Sequence, residues 1–321
     1  MEIMWDELSE RKNSYFNCLQ AVLAYICGLY GMDIDLAFAV DFGMRYELTG
    51  APRVGDKFYP DIQYQFVDFY KDVYGLKIEE AEDPSPETIK KILDERKFCL
   101  LRYDAFYCHW NPAFQDGHIV HYALVKEIDF SEEKICIIDP YIGDKVYCSD
   151  IGTLFRGVSR IFSIYKEGEG KKIDFLDVCD LLTHKKSAEK AILYYNEAIS
   201  DVETADIESF FEVKHSANNH LIIHATQMAK DDFGIIYLLW KYGTERYSEK
   251  ELEPIFSNIN NLASGWNKLK LLLVKINMLG YLSERNRGQI IELLKSQMEK
   301  EVRFFSQINE VRKNGLCLTE N

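Results

Sequence analysis

The feature that most limits the fold is a change of pattern at a short polar stretch, Glu167-Gly168-Glu169-Gly170-Lys171-Lys172. Before it, Phe98–Tyr103, Tyr122–Ile128, Lys134–Ile138 and Arg160–Tyr165 are short apolar or alternating runs that read as strands, with a turn over Asp129–Lys134. After it, Ile192–Ala205, Ser209–Met228, Asp231–Tyr242, Glu249–Leu279 and Ser283–Val311 carry long stretches of helical period with few prolines. The pattern predicts an α+β first domain over 1–168 and an all-helical second domain over 169–321, the second a bundle of about five helices.

Three helices are expected ahead of the strands. In 14–31, Leu19, Val22, Leu23, Ile26 and Leu29 recur at helical spacing, Ser14 or Asn17 suits the cap, and Gly31 stops the run. A loop-rich stretch follows, then Ile62–Tyr74, closed by Gly75. Ser85 and Pro86 open a third helix that reaches about Lys97.

Cys18 falls in the first turn of the first helix, directly after the polar Asn17. A thiol is a strong nucleophile only as thiolate, and a helix N-terminus and a neighbouring imidazole both favour that form. His121 precedes the strand residues Tyr-Ala-Leu-Val, and Asp139 ends the next strand ahead of Pro140. A carboxylate there suits a hydrogen bond to the imidazole. The order Cys, His, Asp is that of a papain-like thiol active site. Taken singly, each residue has an ordinary structural reading: a buried thiol, a half-buried histidine, a strand-end turn.

Net charge and cysteine spacing argue against other classes. At −14 the chain as a whole is not the basic surface that nucleic acid requires, and it gains nothing from an anionic membrane; a cationic substrate, or a partner met through a local basic patch, stays open. The eight cysteines form no CxxC pair, so no zinc cluster is expected. His118 and His121 form HxxH near His109, but without a matching carboxylate motif, and no metal site is expected; His220 and His224 lack the Glu of HExxH. No signal peptide and no membrane-length apolar run are read, so a cytoplasmic protein with most thiols reduced is expected.

The aromatic stretch Arg102–Pro112, just after a strand, reads either as loop packing or as an acyl or amine pocket beside the thiol. Asp104, Tyr107, Trp110 and His118 are its pocket candidates, with Asp104 suited to anchor a cationic amine.

These residues resemble the family of the butirosin-biosynthesis protein H N-terminal domain. The resemblance rests on Asn-Cys-Leu at 17–19, Tyr-Asp-Ala-Phe-Tyr-Cys-His-Trp at 103–110 running on to His121, and Ile-Asp-Pro-Tyr at 138–141, and it covers roughly residues 12–165. It implies a papain-like cysteine-protease fold in the first domain and a place in bacterial natural-product biosynthesis. The implied reaction transfers an acyl group from a carrier-protein thioester, borne on a phosphopantetheine arm, to a small amine or peptide, with Cys18 as nucleophile, His121 as base and Asp139 as its orienter. No cofactor of the protein's own is implied. The chain departs from the papain pattern at the oxyanion position: Arg11-Lys12-Asn13 holds no Gln, which leaves Asn13, Asn17 or the Cys18 amide as the donor. A hydrolase of the same chemistry and a non-catalytic scaffold are the alternatives.

Overall fold

The computed structural model describes residues 12–48, 51, 53–58, 66–143, 145–183, 187–211 and 219–319. The chain divides into two compact units, and the division is not the one expected. One unit holds 16–34 and 62–172; the other holds 1–15, 35–61 and 173–321. The last boundary falls four residues past the predicted 168, but 35–61 does not belong with the sheet.

The first unit is α+β. Its helices are α1 (Cys18–Leu29), α2 (Phe66–Tyr74), α3 (Pro86–Asp94) and α4 (Ile151–Phe155). Its strands are β1 (Leu76–Glu80), β2 (Phe98–Asp104), β3 (Val120–Asp129), β4 (Lys134–Ile138), β5 (Val146–Asp150) and β6 (Val158–Lys166), in one antiparallel sheet of order β1-β6-β2-β3-β4-β5. Ser85 caps α3 by accepting from the Thr88 amide at 3.3 Å, and Pro86 takes the first helical position, which needs no donor. The buried face of α3, Ile89 and Ile92, packs into one core with Cys99, Leu101, Tyr103, Ala123, Val125 and Ile137. Tyr30, at the end of α1, meets Phe98 edge-on at 6.1 Å, so α1 covers the other face, which carries Leu100 and Leu124. Both faces are therefore buried, which explains why β2 and β3 read as near-continuous apolar runs.

Gly75 closes α2 with φ +65°, and a Cβ there would lie 2.1 Å from the Gly168 carbonyl oxygen. Its own carbonyl accepts from the Glu167 amide at 2.8 Å, so the predicted linker is pinned where it leaves the sheet. Strands β1 and β5 were not expected from the sequence. β5 is an edge strand with no buried side chain, so it carries no apolar row to read.

The second unit is helical: α5 (Phe175–Thr183), α6 (Ala188–Thr204), α7 (His220–Gly243), α8 (Glu249–Leu279) and α9 (Glu284–Thr319). Short helical turns at Ala37–Asp41, Val54–Lys57 and Ile207–Phe210 belong to it. The predicted break between Met228 and Asp231 is absent. Asp231 accepts from Gln227 Nε2 at 2.7 Å one turn back, so the acidic pair sits within a continuous α7. The segment 35–61 is anchored by Phe42 against Phe304 at 4.5 Å between ring centroids, and by the Met44 amide, which donates to Glu301 Oε1 at 2.9 Å.

Among the described residues no helix is long and apolar enough to cross a membrane. Most thiols were expected to be reduced; Cys136 and Cys148, which face each other across β4 and β5, are joined as a disulfide.

Candidate active site

The antiparallel order of β2, β3 and β4 brings the end of β2, the start of β3 and the end of β4 to one end of the sheet. Tyr103 lies opposite His121, and Val125 opposite Ile137. Side chains alternate along a strand, so Tyr103, His121, Ala123, Val125, Ile137 and Asp139 share one face. The polar residues of the candidate site thus continue the apolar row that packs under α3.

Cys18 is the first residue of α1. Asn17 Oδ1 accepts from the Gln20 amide at 2.9 Å while Gln20 Oε1 accepts from the Asn17 amide at 2.9 Å, a reciprocal cap that fixes where the helix starts. By helix geometry the Cys18 and Leu19 amides have no intrahelical acceptor, so the sulfur sits at the positive end of the helix. Cys18 is also half-exposed, whereas Cys27, Cys99, Cys108 and Cys179 are buried. Burial pushes the Cys99 thiol up to about 12, and burial with the nearby Asp33 charge does the same to Cys27. Those thiols are held protonated.

His121 is buried, and its Nε2 lies 2.9 Å from Asp139 Oδ2. Because a carboxylate only accepts, Nε2 carries the proton, which leaves Nδ1 for the thiol. Burial alone would lower the imidazole pKa. The negative charge on the Cys18 sulfur and hydrogen bonds with Asp139 and Cys18 outweigh burial and raise it to about 10. A positively charged imidazole is thereby placed beside the Cys18 sulfur.

Asp139 is fully buried. Its Oδ2 also accepts from Trp110 Nε1 at 3.1 Å and lies 3.5 Å from the Tyr103 hydroxyl, and its Oδ1 lies 3.4 Å from the Ile142 amide. Two rings stand edge-on to the imidazole, Tyr103 at 5.5 Å and Tyr141 at 5.7 Å. Tyr141 is 42% exposed and was missed as a site residue, although it follows the Asp-Pro pair directly.

The structure therefore brings Cys18, His121 and Asp139 together, but it distributes the other candidates differently. Trp110 serves Asp139 and stacks on Tyr147 at 5.4 Å with the planes 14° apart. Asp104 points to the opposite face from Tyr103. One of its oxygens caps the Phe106 amide at 3.0 Å and the other meets His118 Nδ1 at 2.6 Å. His118 in turn stacks on Phe106 at 4.4 Å. Asp104 is thus engaged in the loop itself and is not an open anchor for a cation. Tyr107 packs against Gly157, where a Cβ would come within 2.8 Å of its ring. Asn17 spends its side-chain oxygen on the cap. Asn13 lies in a single helical turn, Lys12–Tyr15, of the other unit, and its side chain is outside the described residues.

Among the described residues no three His, Cys, Asp or Glu side chains are grouped to hold a metal. His109 stands edge-on to Trp110, His220 pairs with Asp56 at 2.9 Å, and His224 is buried; His215 lies outside the described residues. No family model matches the chain, and no curated protein matches it.

Proposed function

We propose that the protein is a papain-like cysteine acyltransferase that works through an acyl group on Cys18. The observation that carries the reading is the polarity of the imidazole: Nε2 is given to a buried carboxylate, and Nδ1 is left for a thiol at a helix N-terminus. In the first step the Cys18 thiolate attacks a thioester carbonyl, and the amides of Cys18 and Leu19 are the donors available to the developing oxyanion. The donor sulfur leaves with the proton from His121 Nδ1. In the second step an amine attacks the acyl-cysteine, His121 takes its proton, and the amide departs as the thiolate is restored. Transfer demands a bound, oriented amine, because water competes at roughly 55 M.

The choice of a carrier-protein thioester as donor and an amine as acceptor is supported by the resemblance of segments 17–19, 103–110 and 138–141. One observation favours a second reading. Asp104 is paired with His118, so the expected anchor for an ammonium is already engaged, and a hydrolase using water needs no such anchor. Intact-mass analysis separates the two. Incubation with an acylated carrier protein is expected to leave an acyl adduct on Cys18, absent in Cys18→Ala, which candidate amines then discharge as amide. Discharge only to free acid with every amine supports the hydrolase. Absence of an adduct with any thioester would overturn both.

A further inference from the structure

The Cys136–Cys148 bridge closes a loop of sequence separation 12 that contains both Asp139 and Tyr147. Tyr147 lies opposite Ile137, so it shares the face that carries Asp139. Its ring supports Trp110, and Trp110 donates to Asp139, so the loop is tied to the site at two points. Its hydroxyl end reaches Gly143, 3.7 Å from where a Cβ would stand there, in the turn that follows Asp139.

Among the described residues β5 pairs only with β4 and has no buried side chain; Val146, Cys148 and Asp150 are exposed, and Tyr147 and Ser149 are half-buried. A strand so placed is kept by its ladder, by the ring stack and by the covalent bridge. Cys136 is buried while Cys148 is exposed, so an attacking thiolate can reach the bridge from the edge of the sheet.

We propose that the bridge and Tyr147 are positioning elements for Asp139, and that reduction of the bridge weakens the hold of Asp139 on His121. The inference rests on the reading of Cys18 as the nucleophile served by that pair. Reduction takes two electrons and two protons from a dithiol reductant, which is itself oxidised to a disulfide, and leaves Cys136 and Cys148 as thiols. With the loop open, β5 is held by its ladder and the ring stack without the covalent tie, so Tyr147 fixes the plane of Trp110 less firmly and the carboxylate is aimed less well at Nε2. The imidazolium that stabilises the Cys18 thiolate is then less favoured, and the thiol reacts more slowly at mildly acidic pH.

The test needs no substrate. Iodoacetamide labelling of Cys18 at pH 6.5, mapped by mass, is compared in the oxidised protein, in the same protein reduced with a phosphine, in the double variant Cys136→Ser/Cys148→Ser, and in Tyr147→Ala and Tyr147→Phe. Reduction, the double variant and Tyr147→Ala are each expected to slow labelling about tenfold, a loss in the range of displaced orienting groups. Tyr147→Phe, which keeps the stack, is expected to stay within about twofold. Rates within twofold in all arms would overturn the proposal, as would a non-reducing peptide map of the oxidised protein without the 136–148 link. The reduced wild-type arm keeps the test alive if a variant does not fold. If Cys18 is not the preferred thiol even in the oxidised protein, the reading of Cys18 falls on its own. The positioning proposal is then decided by exchange protection of the His121 Nε2 proton, which falls on reduction if it holds and is unchanged if it does not.

Discussion

Cys18 differs from the other described free thiols in exposure, in its place at a helix start and in its contact with His121. The raised His121 pKa keeps a positive charge beside the Cys18 sulfur across the neutral range. Its alkylation rate at pH 6.5 is expected to lie within a few-fold of that at pH 8.5, whereas an ordinary thiol near 8.5 would change about fifty-fold. A steep rise over that interval would remove the ion pair. Asp139→Ala should slow labelling at pH 6.5 by about 10²-fold or more, since it also strands the half-buried Trp110 donor and the buried His121 donor. Asp139→Asn keeps an acceptor for Nε2 but loses the charge, and should fall between the two. Equal rates for all three would exclude Asp139 from the mechanism. The grouping of Cys18, His121 and Asp139 was legible in the sequence because each stands at a boundary that sequence marks well: a cap, a strand start, a strand end before proline. The role of Trp110 was not legible, because a tryptophan that lines a pocket and one that donates to a carboxylate have the same local sequence.

At the scale of elements, the cap of α1 is the piece on which the thiol depends. Asn17→Ala removes the side-chain acceptor of the Gln20 amide while keeping the backbone amide that donates to Gln20 Oε1, and should cost about 1 kcal/mol in urea unfolding. It should also slow Cys18 alkylation, because the first turn frays. An unchanged alkylation rate in a destabilised protein would separate the cap from the chemistry. Elements with an apolar row were readable from period alone, and β4 and α8 match their expected bounds. β5 was not, since an edge strand with alternating exposed residues looks like a loop. The division of α7 at Asp231 was an error of another kind. The expected segments stopped at Met228 and resumed at Asp231, but the helix runs through, with both aspartates buried and Asp231 accepting from Gln227 one turn back.

At the scale of the molecule, the helical unit buries two titrating groups of opposite tendency. Burial, with Arg45 nearby, lowers the His224 pKa to about 3; burial, with Glu301 and Asp231 opposing the charge and Lys300 favouring it, raises Asp232 well above its usual range. Below about 6.5 the unfolded chain takes up a proton at His224 that the folded chain refuses, so stability falls as pH falls toward 3. Above about 3.9 the folded chain keeps a proton on Asp232 that the unfolded chain releases, so stability falls as pH rises. Where both groups differ from the unfolded chain the two slopes, each about 1.4 kcal/mol per pH unit, oppose each other. Asp232→Asn should remove one of them. The stability difference between variant and parent is then expected to decline by about that slope from pH 6.5 to 4.5 in urea titrations, and a constant difference would show that Asp232 is not held protonated.

The interleaving of the two units has a consequence for how the protein is made. Residues 35–61 leave the ribosome early, yet Phe42 and Met44 wait for Phe304 and Glu301, near the far end of the chain. Until then a nascent chain that already holds every residue of the sheet unit carries an unsheltered aromatic segment between its first helix and the rest. A chain shortened to residues 1–172 would therefore carry 35–61 without the α9 side chains that shelter it.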